Sequence, residues 1–330
     1  MKIIFSDVNL SSFSSYKIGG NARYFSTPSG ISELKKVLRF AKRKNLQPII
    51  FGHATNIVFP DNPAESYIFI SLRNFNHIKA KKNTIFLSAG LPSSILSVIG
   101  MLSNTEGLLF THLLPGSIGG GIYMNARCYE NEFSEILDSI YYLDENFNLK
   151  IIHRDECLFS YKKSIFQSHN WTIVGADFVL NTPLKKENLK AIKKFLFAER
   201  INFSSLVDYL EKFRIKKITE FFNLSIIPQK IVDIENDRIK KHQFDFPSCG
   251  SVFKNNYATG QPTGRLIELA GLKGLTSGGA RISEYHANFI INLGNATQRD
   301  ILILIETVKE KVLERFGFIP EVEVRIIKNE

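Results

Sequence analysis

LLPGSIGGGIYMNARCYENE, residues 113–132, sets Gly116, Gly119, Gly120 and Gly121 just after an apolar run. Glycine-rich turns of this kind let backbone N–H groups approach phosphate oxygens with no Cβ in the way. Two other stretches share the texture, YKIGGNARYF at 16–25 and FGHATNIVFPD at 51–61. None of the three is a G-x-G-x-x-G ahead of a helix or a Walker loop, which excludes a Rossmann or P-loop assignment. One such cluster alone reads as a tight turn more often than a ligand loop; three at these separations are less easily dismissed as turns and could cradle phosphate.

Around these clusters the chain alternates strands and helices. Ile31, Leu34, Val37, Leu38 and Ala41 recur at helical spacing and lead into QPIIFG, an apolar strand that ends at a glycine. ESYIFISL and NTIFLSAG read as strands, and ILSVIGMLSN as a helix. SIYYLDENFNLKII and WTIVGADFVLN alternate like strands of an antiparallel or mixed sheet. From Lys185 to His242 the texture becomes lysine-rich amphipathic helix, with pieces at 188–201 and 204–222, so a domain boundary is expected near residue 185. The last block returns to α/β patterning, with a helix from about Asp300 to Phe316 stopped by Gly317. In the closing EVEVRII, alternation puts Glu323 and Arg325 on one polar face of a strand.

At 330 residues and 44% hydrophobic, the chain can bury a core in two or three domains. No apolar run reaches membrane-spanning length, since stretches such as ILILIETVKEKVL are broken by charge. The opening MKIIFSDVNLSS turns polar too soon for a secretory signal, so the expected location is the cytoplasm. Cys128, Cys157 and Cys249 have no metal-ligand spacing and read as free thiols, and no metal site is expected. The net charge of +10 favours anionic partners. Its lysines are spread through every segment and form no stripe with interleaved aromatics, so they support phosphate-bearing ligands and not nucleic acid. Neither membrane insertion nor an obligate protein partner is expected.

The pieces YKIGGNA, IIFGHATN, PGSIGGGIYMNA, YKKSIF, PSCGSVFKN, GLKG, GGARISEYHANFIIN and FGFIPEVEVR follow one another between residues 16 and 327. In number, order and spacing they resemble the UDP-N-acetylenolpyruvoylglucosamine reductase family (UDP-N-acetylmuramate dehydrogenases), flavoenzymes of peptidoglycan synthesis. The resemblance implies an α+β architecture with an FAD-binding fold of the vanillyl-alcohol-oxidase (PCMH) type. Two α/β subdomains, 1–72 and 73–185, would hold FAD, and a C-terminal α/β domain, 186–330, would bind the UDP-sugar substrate. A segment at about 195–235 is longer than the family needs and reads as extra helix, and the chain closes on a C-terminal strand. NADPH is the implied electron donor, with hydride passing through FAD to C3 of an enolpyruvyl group and a proton to C2.

Residue by residue, the match makes Ser251 the proton donor and Glu323 a catalytic carboxylate. As a nucleophile Ser251 lacks the G-x-S-x-G elbow. The family's arginine falls on Lys162, which keeps the charge but loses the planar fork that grips a carboxylate. FAD would be held by Gly19, Gly20, Gly52, His53, Ala54, Thr55 and Asn56, and by Pro115, Gly116, Ser117, Gly119, Gly120 and Asn125. Here His53, Ala54 and Thr55 depart from a glycine-glycine-serine run. Substrate contacts would come from Tyr161, Lys254, Asn255, His286 and Asn288, and Arg127 adds a cation near the cofactor. An FAD-dependent alcohol oxidase of the same fold, or a catalytically impaired homologue, stays open on the departures at Lys162 and the glycine loops.

Overall fold

A computed structural model of the chain describes residues 3–197 and 205–328. Helix α1 (Ile31–Arg43) buries Leu34, Val37, Leu38 and Ala41 along one stripe, while Lys36, Arg39, Lys42 and Arg43 stay exposed. Left-handed Asn45 (φ 51°) then turns the chain into the strand Gln47–Phe51. That strand pairs in parallel with Tyr67–Ser71, which also pairs in parallel with Phe25–Ser26. The loop Gly52–Asn56 therefore leaves the carboxyl end of a parallel strand, where open α/β sheets present their ligand sites.

The second layer is a five-stranded antiparallel sheet in the order Leu149–His153, Leu137–Leu143, Thr172–Val179, Thr84–Ser88, Ile78–Ala80. Thr172–Val179 is buried along most of its length, because α2 (Ile95–Leu102) and α3 (Ile118–Tyr123) belong to the core that covers it. Helix α3 is formed by the third glycine cluster itself. Ser117 caps it by accepting from Gly120 N at 3.2 Å.

Next come α4 (Lys186–Phe197), α5 (Leu206–Phe213), α6 (Ile215–Phe222) and α7 (Gln229–Lys240). The end of the helix expected at 188–201 lies outside the described residues, as does the first residue of the piece expected at 204–222. That second piece is not continuous: it breaks at Arg214, which is extended (ψ 146°). Glu235 causes the break to hold, because its carboxylate accepts from Ile215 N at 2.8 Å and supplies the capping that an N-terminal turn needs. Ile192, Phe195, Tyr209, Phe213 and Ile218 pack into the same core as the five-stranded sheet.

The last unit is a four-stranded antiparallel sheet, ordered Ser248–Ser251, Phe289–Asn292, Ala280–Ile282, Thr276–Ser277. Helices α8 (Thr263–Leu269) and α9 (Gln298–Phe316) contribute to its separate core. A Thr297–Asp300 capping box starts α9, and left-handed Gly317 (φ 76°) ends it. Of the strand expected over EVEVRII, only Arg325–Ile326 is laddered, in parallel with Ile57–Val58. Val322 first makes a bridge with Phe253, so this segment is shared between the last unit and the first. Among the described residues no helix is long and apolar enough to cross a membrane.

Candidate functional site

A cleft of about 1020 Å³ runs where these units meet. One wall is built from two loops that touch at their glycines. A Cβ on Gly52 would lie 1.9 Å from Ser117 Oγ, and one on Gly116 would lie 2.9 Å from Thr55 Oγ1. Only glycine permits loops this close. The Pro115–Gly121 loop is also stitched to the end of a strand of the five-stranded sheet, through Gly119 N to Ala89 O at 2.9 Å and Ile118 N to Leu91 O at 2.8 Å. His53 lies inside this junction, its Nε2 donating to Gly90 O at 2.9 Å. Burial, reinforced by the nearby Arg73 charge, pushes its pKa down to about 3, so the ring is neutral and braces the loop.

Ser251, Lys162 and Glu323 also line the cleft. Gly250 (φ 73°) bulges the strand Ser248–Ser251 between its two partners, Ser248↔Ile291 and Ser251↔Phe289. Bulges of this kind re-aim the side chain that follows. Asn288 fixes the next residues: its backbone O accepts from Val252 N at 2.8 Å, and its side chain exchanges bonds with Phe253 N and O at 2.9 and 2.8 Å. Glu323 is delivered by the shared segment, with Glu323 N donating to Val252 O at 2.7 Å and Asn56 Nδ2 donating to Glu323 O at 3.3 Å.

Lys162 arrives from a tight Ser160–Lys163 turn in which it is itself left-handed (φ 58°). Its Nζ meets Glu323 Oε1 at 2.6 Å, with the two side chains only 13% and 12% exposed. Sequence pairing had put Glu323 beside Arg325 on one polar face; its ion-pair partner in space is Lys162. Partial desolvation strengthens such a pair and holds the lysine at one position.

The other expected residues divide. His53, Ala54, Thr55, Asn56, Ser117, Gly119, Gly120 and His286 line the cleft, whereas Gly19, Gly20, Asn125, Tyr161, Lys254, Asn255 and Asn288 are not among its lining residues. Gly19 and Gly20 allow close chain crossing near Leu10, Phe59 and Asp61. Asn125 shapes the lysine turn by donating to Ser160 O at 3.1 Å. Tyr161 accepts from Asn255 N at 3.1 Å, and burial pushes its phenol up to about 12. Lys254 pairs with Glu321 at 2.6 Å. Arg127, which lines the cleft, lies over the rings of Tyr161 and Tyr257 at 5.9 and 5.6 Å. His286 is held neutral, its pKa lowered to about 4 by burial.

One cleft residue escapes the sequence reading. Arg238 of α7 is 6% exposed, donates to Gln243 Oε1 at 2.9 Å and to Cys128 Sγ at 3.1 Å, and keeps an Nε with no partner among the described residues. A buried guanidinium with spare donors on a cleft suits an anionic ligand. Its signal in the sequence is phase: Ile231, Ile234, Glu235 and Arg238 recur at core spacing, two of them charged. Cys128, Cys157 and Cys249 are free thiols. Among the described residues no group of three or more His, Cys, Asp or Glu side chains could hold a metal ion.

Known proteins resemble this arrangement. A profile for the C-terminal domain of UDP-N-acetylenolpyruvoylglucosamine reductase matches residues 241–327, and a profile for an FAD binding domain matches residues 22–146. The UDP-N-acetylenolpyruvoylglucosamine reductase of Borrelia garinii subsp. bavariensis is 35% identical over 97% of this chain and 92% of its own length. That of Treponema denticola is 35% identical over 96% of this chain and 90% of its own. The crystal structure of the reductase from Thermus caldophilus has the same fold, at a TM-score of 0.67 and 24% identity, covering 98% of this chain and 100% of that one.

Proposed function

This chain belongs to the UDP-N-acetylenolpyruvoylglucosamine reductase family, and from that membership we propose how its cleft works. It is an FAD-dependent oxidoreductase that reduces the enolpyruvyl group of a UDP-sugar in peptidoglycan synthesis. The cleft suits FAD by volume and by the two loops that meet at Gly52 and Gly116, where a side chain would force the loops apart. His53 to Asn56, with Pro115, Gly116, Ser117, Gly119 and Gly120, would hold the cofactor, and Arg238 would face an anionic part of a ligand. Bound there, the flavin would supply hydride transfer from NADPH to C3 of the enolpyruvyl group.

The residues of this chain manage the charge that results. Hydride at C3 leaves an electron pair at C2, in conjugation with the substrate carboxylate, and the Ser251 hydroxyl supplies the proton that quenches it; solvent later returns a proton to the serine. Serine is a weak acid, so a fixed positive charge must stabilise the developing anion. Lys162, pinned by Glu323, is that charge. This ion pair of 2.6 Å, in the same cleft as Ser251, is the observation that carries the reading.

The test is spectral. Purified protein carrying FAD should show flavin absorbance that NADPH bleaches and UDP-N-acetyl-enolpyruvoylglucosamine restores without oxygen. If the substrate leaves the bleached flavin unchanged while oxygen restores it rapidly with an alcohol as electron source, the protein is an oxidase instead.

A further inference from the structure

We propose that helices α5 to α7 act as a clamp that sets the flavin-side loop, with Tyr209 as its positioning residue. This rests on the FAD reading of the cleft. The loop Pro115–Gly121 begins two residues after Leu113, which is fully buried and left-handed (φ 51°). L side chains rarely adopt that conformation, so neighbours must hold it. The residues on either side of Leu113 are both gripped by the helical segment.

On one side, the His112 ring meets Glu235 Oε2 of α7 at 3.2 Å, and the same carboxylate caps α6 through Ile215 N at 2.8 Å. Burial lowers the His112 pKa, so the neutral ring donates its Nε2–H. On the other side, Tyr209 of α5 is fully buried, its ring 5.1 Å from that of Phe213. Its hydroxyl stands 2.7 Å from the Leu114 carbonyl and 2.8 Å from Ser94 Oγ, donating to one of them at a time, and accepts the Ser94 N–H at 3.2 Å. A phenylalanine would fill the same apolar space, so packing does not require this oxygen. Together with Ser94 Oγ, which also reaches the Leu114 carbonyl at 3.2 Å, it ties the carbonyl just before the loop to the start of α2, while Ser93 N reaches Gly116 O at 2.9 Å. Loss of either hydroxyl weakens that junction and lets Leu113 relax toward negative φ, which shifts Gly116 relative to Thr55.

Tyr209→Phe and Ser94→Ala break the junction from opposite sides and leave the apolar packing in place. FAD affinity is read by quenching of flavin fluorescence on titration of FAD-free protein, and melting temperature is read with and without saturating FAD. We expect the FAD dissociation constant to rise about tenfold in each variant, the scale of one lost buried hydrogen bond. The increase in melting temperature that FAD gives should shrink accordingly. An unchanged dissociation constant, or a melting temperature lowered equally with and without FAD, overturns the positioning role alone. Wild-type protein that takes up no FAD overturns the flavin reading and this proposal with it.

Discussion

Lys162 and Glu323 stand 161 residues apart in the chain and 2.6 Å apart in space. Each was visible in the sequence as part of a motif, but neither motif shows that one holds the other. The pair leads to a prediction: Lys162→Arg restores a planar fork for the substrate carboxylate and should lower KM for substrate with little change in kcat. An unchanged or raised KM in steady-state kinetics would assign that grip to another cation, Arg238 being the nearest in kind. Ser251→Ala should leave reduction of the flavin by NADPH intact and slow its reoxidation by enolpyruvyl substrate on the order of a hundredfold or more, the scale of a lost general acid. Stopped-flow absorbance separates the two half-reactions, and unaffected reoxidation removes Ser251 from the proton-donor role. Arg238 carries only a weak signal, its phase with Ile231 and Ile234, and for a physical reason. An arginine in a lysine-rich segment is normally solvated, so that phase outweighs its charge only once packing shows the face turned inward.

At the scale of elements, periodicity and caps were readable. Helix α9 combines an apolar stripe with a capping box and a glycine stop, all local signals. Thr297→Ala should therefore cost about 1 kcal/mol of stability, measured by chemical unfolding, with activity unchanged. The glycine loops respond differently. Gly52→Ala puts a methyl 1.9 Å from Ser117 Oγ, so the loops must part. We expect weaker FAD binding in a fluorescence titration with the far-ultraviolet circular dichroism unchanged; full affinity would mean that the contact is dispensable. Where sequence reading of elements failed, a distant residue was responsible. The 204–222 piece breaks because Glu235 caps Ile215, and the EVEVRII strand is shortened because Val322 meets Phe253 before Arg325 reaches Ile57.

For the whole molecule, buried histidines set the response to acid. His53 and His286 have pKa values lowered to about 3 and about 4, and burial lowers that of His112 too. Their unfolded forms take up protons below about pH 6.5 while the folded forms stay neutral, so acid favours unfolding. Stability should be full above that pH and fall by up to about 1.4 kcal/mol per pH unit for each of His53 and His286, as pH drops towards about 3 and about 4 respectively. Guanidinium unfolding across this window checks the slope, and His53→Asn should flatten it by up to one proton; an unchanged slope would show that His53 does not contribute. By itself the sequence determined most of the helices and strands, where the glycine-rich loops fall, and the family to which the ordered motifs belong, because propensity, period and motif are local or ordered along the chain. Tertiary structure alone decided that Lys162 closes on Glu323, that α4 to α7 join the core of the five-stranded sheet, and that Arg238 turns toward the cleft. Those outcomes depend on which surfaces exclude water together, a property of packing that no stretch of sequence carries alone.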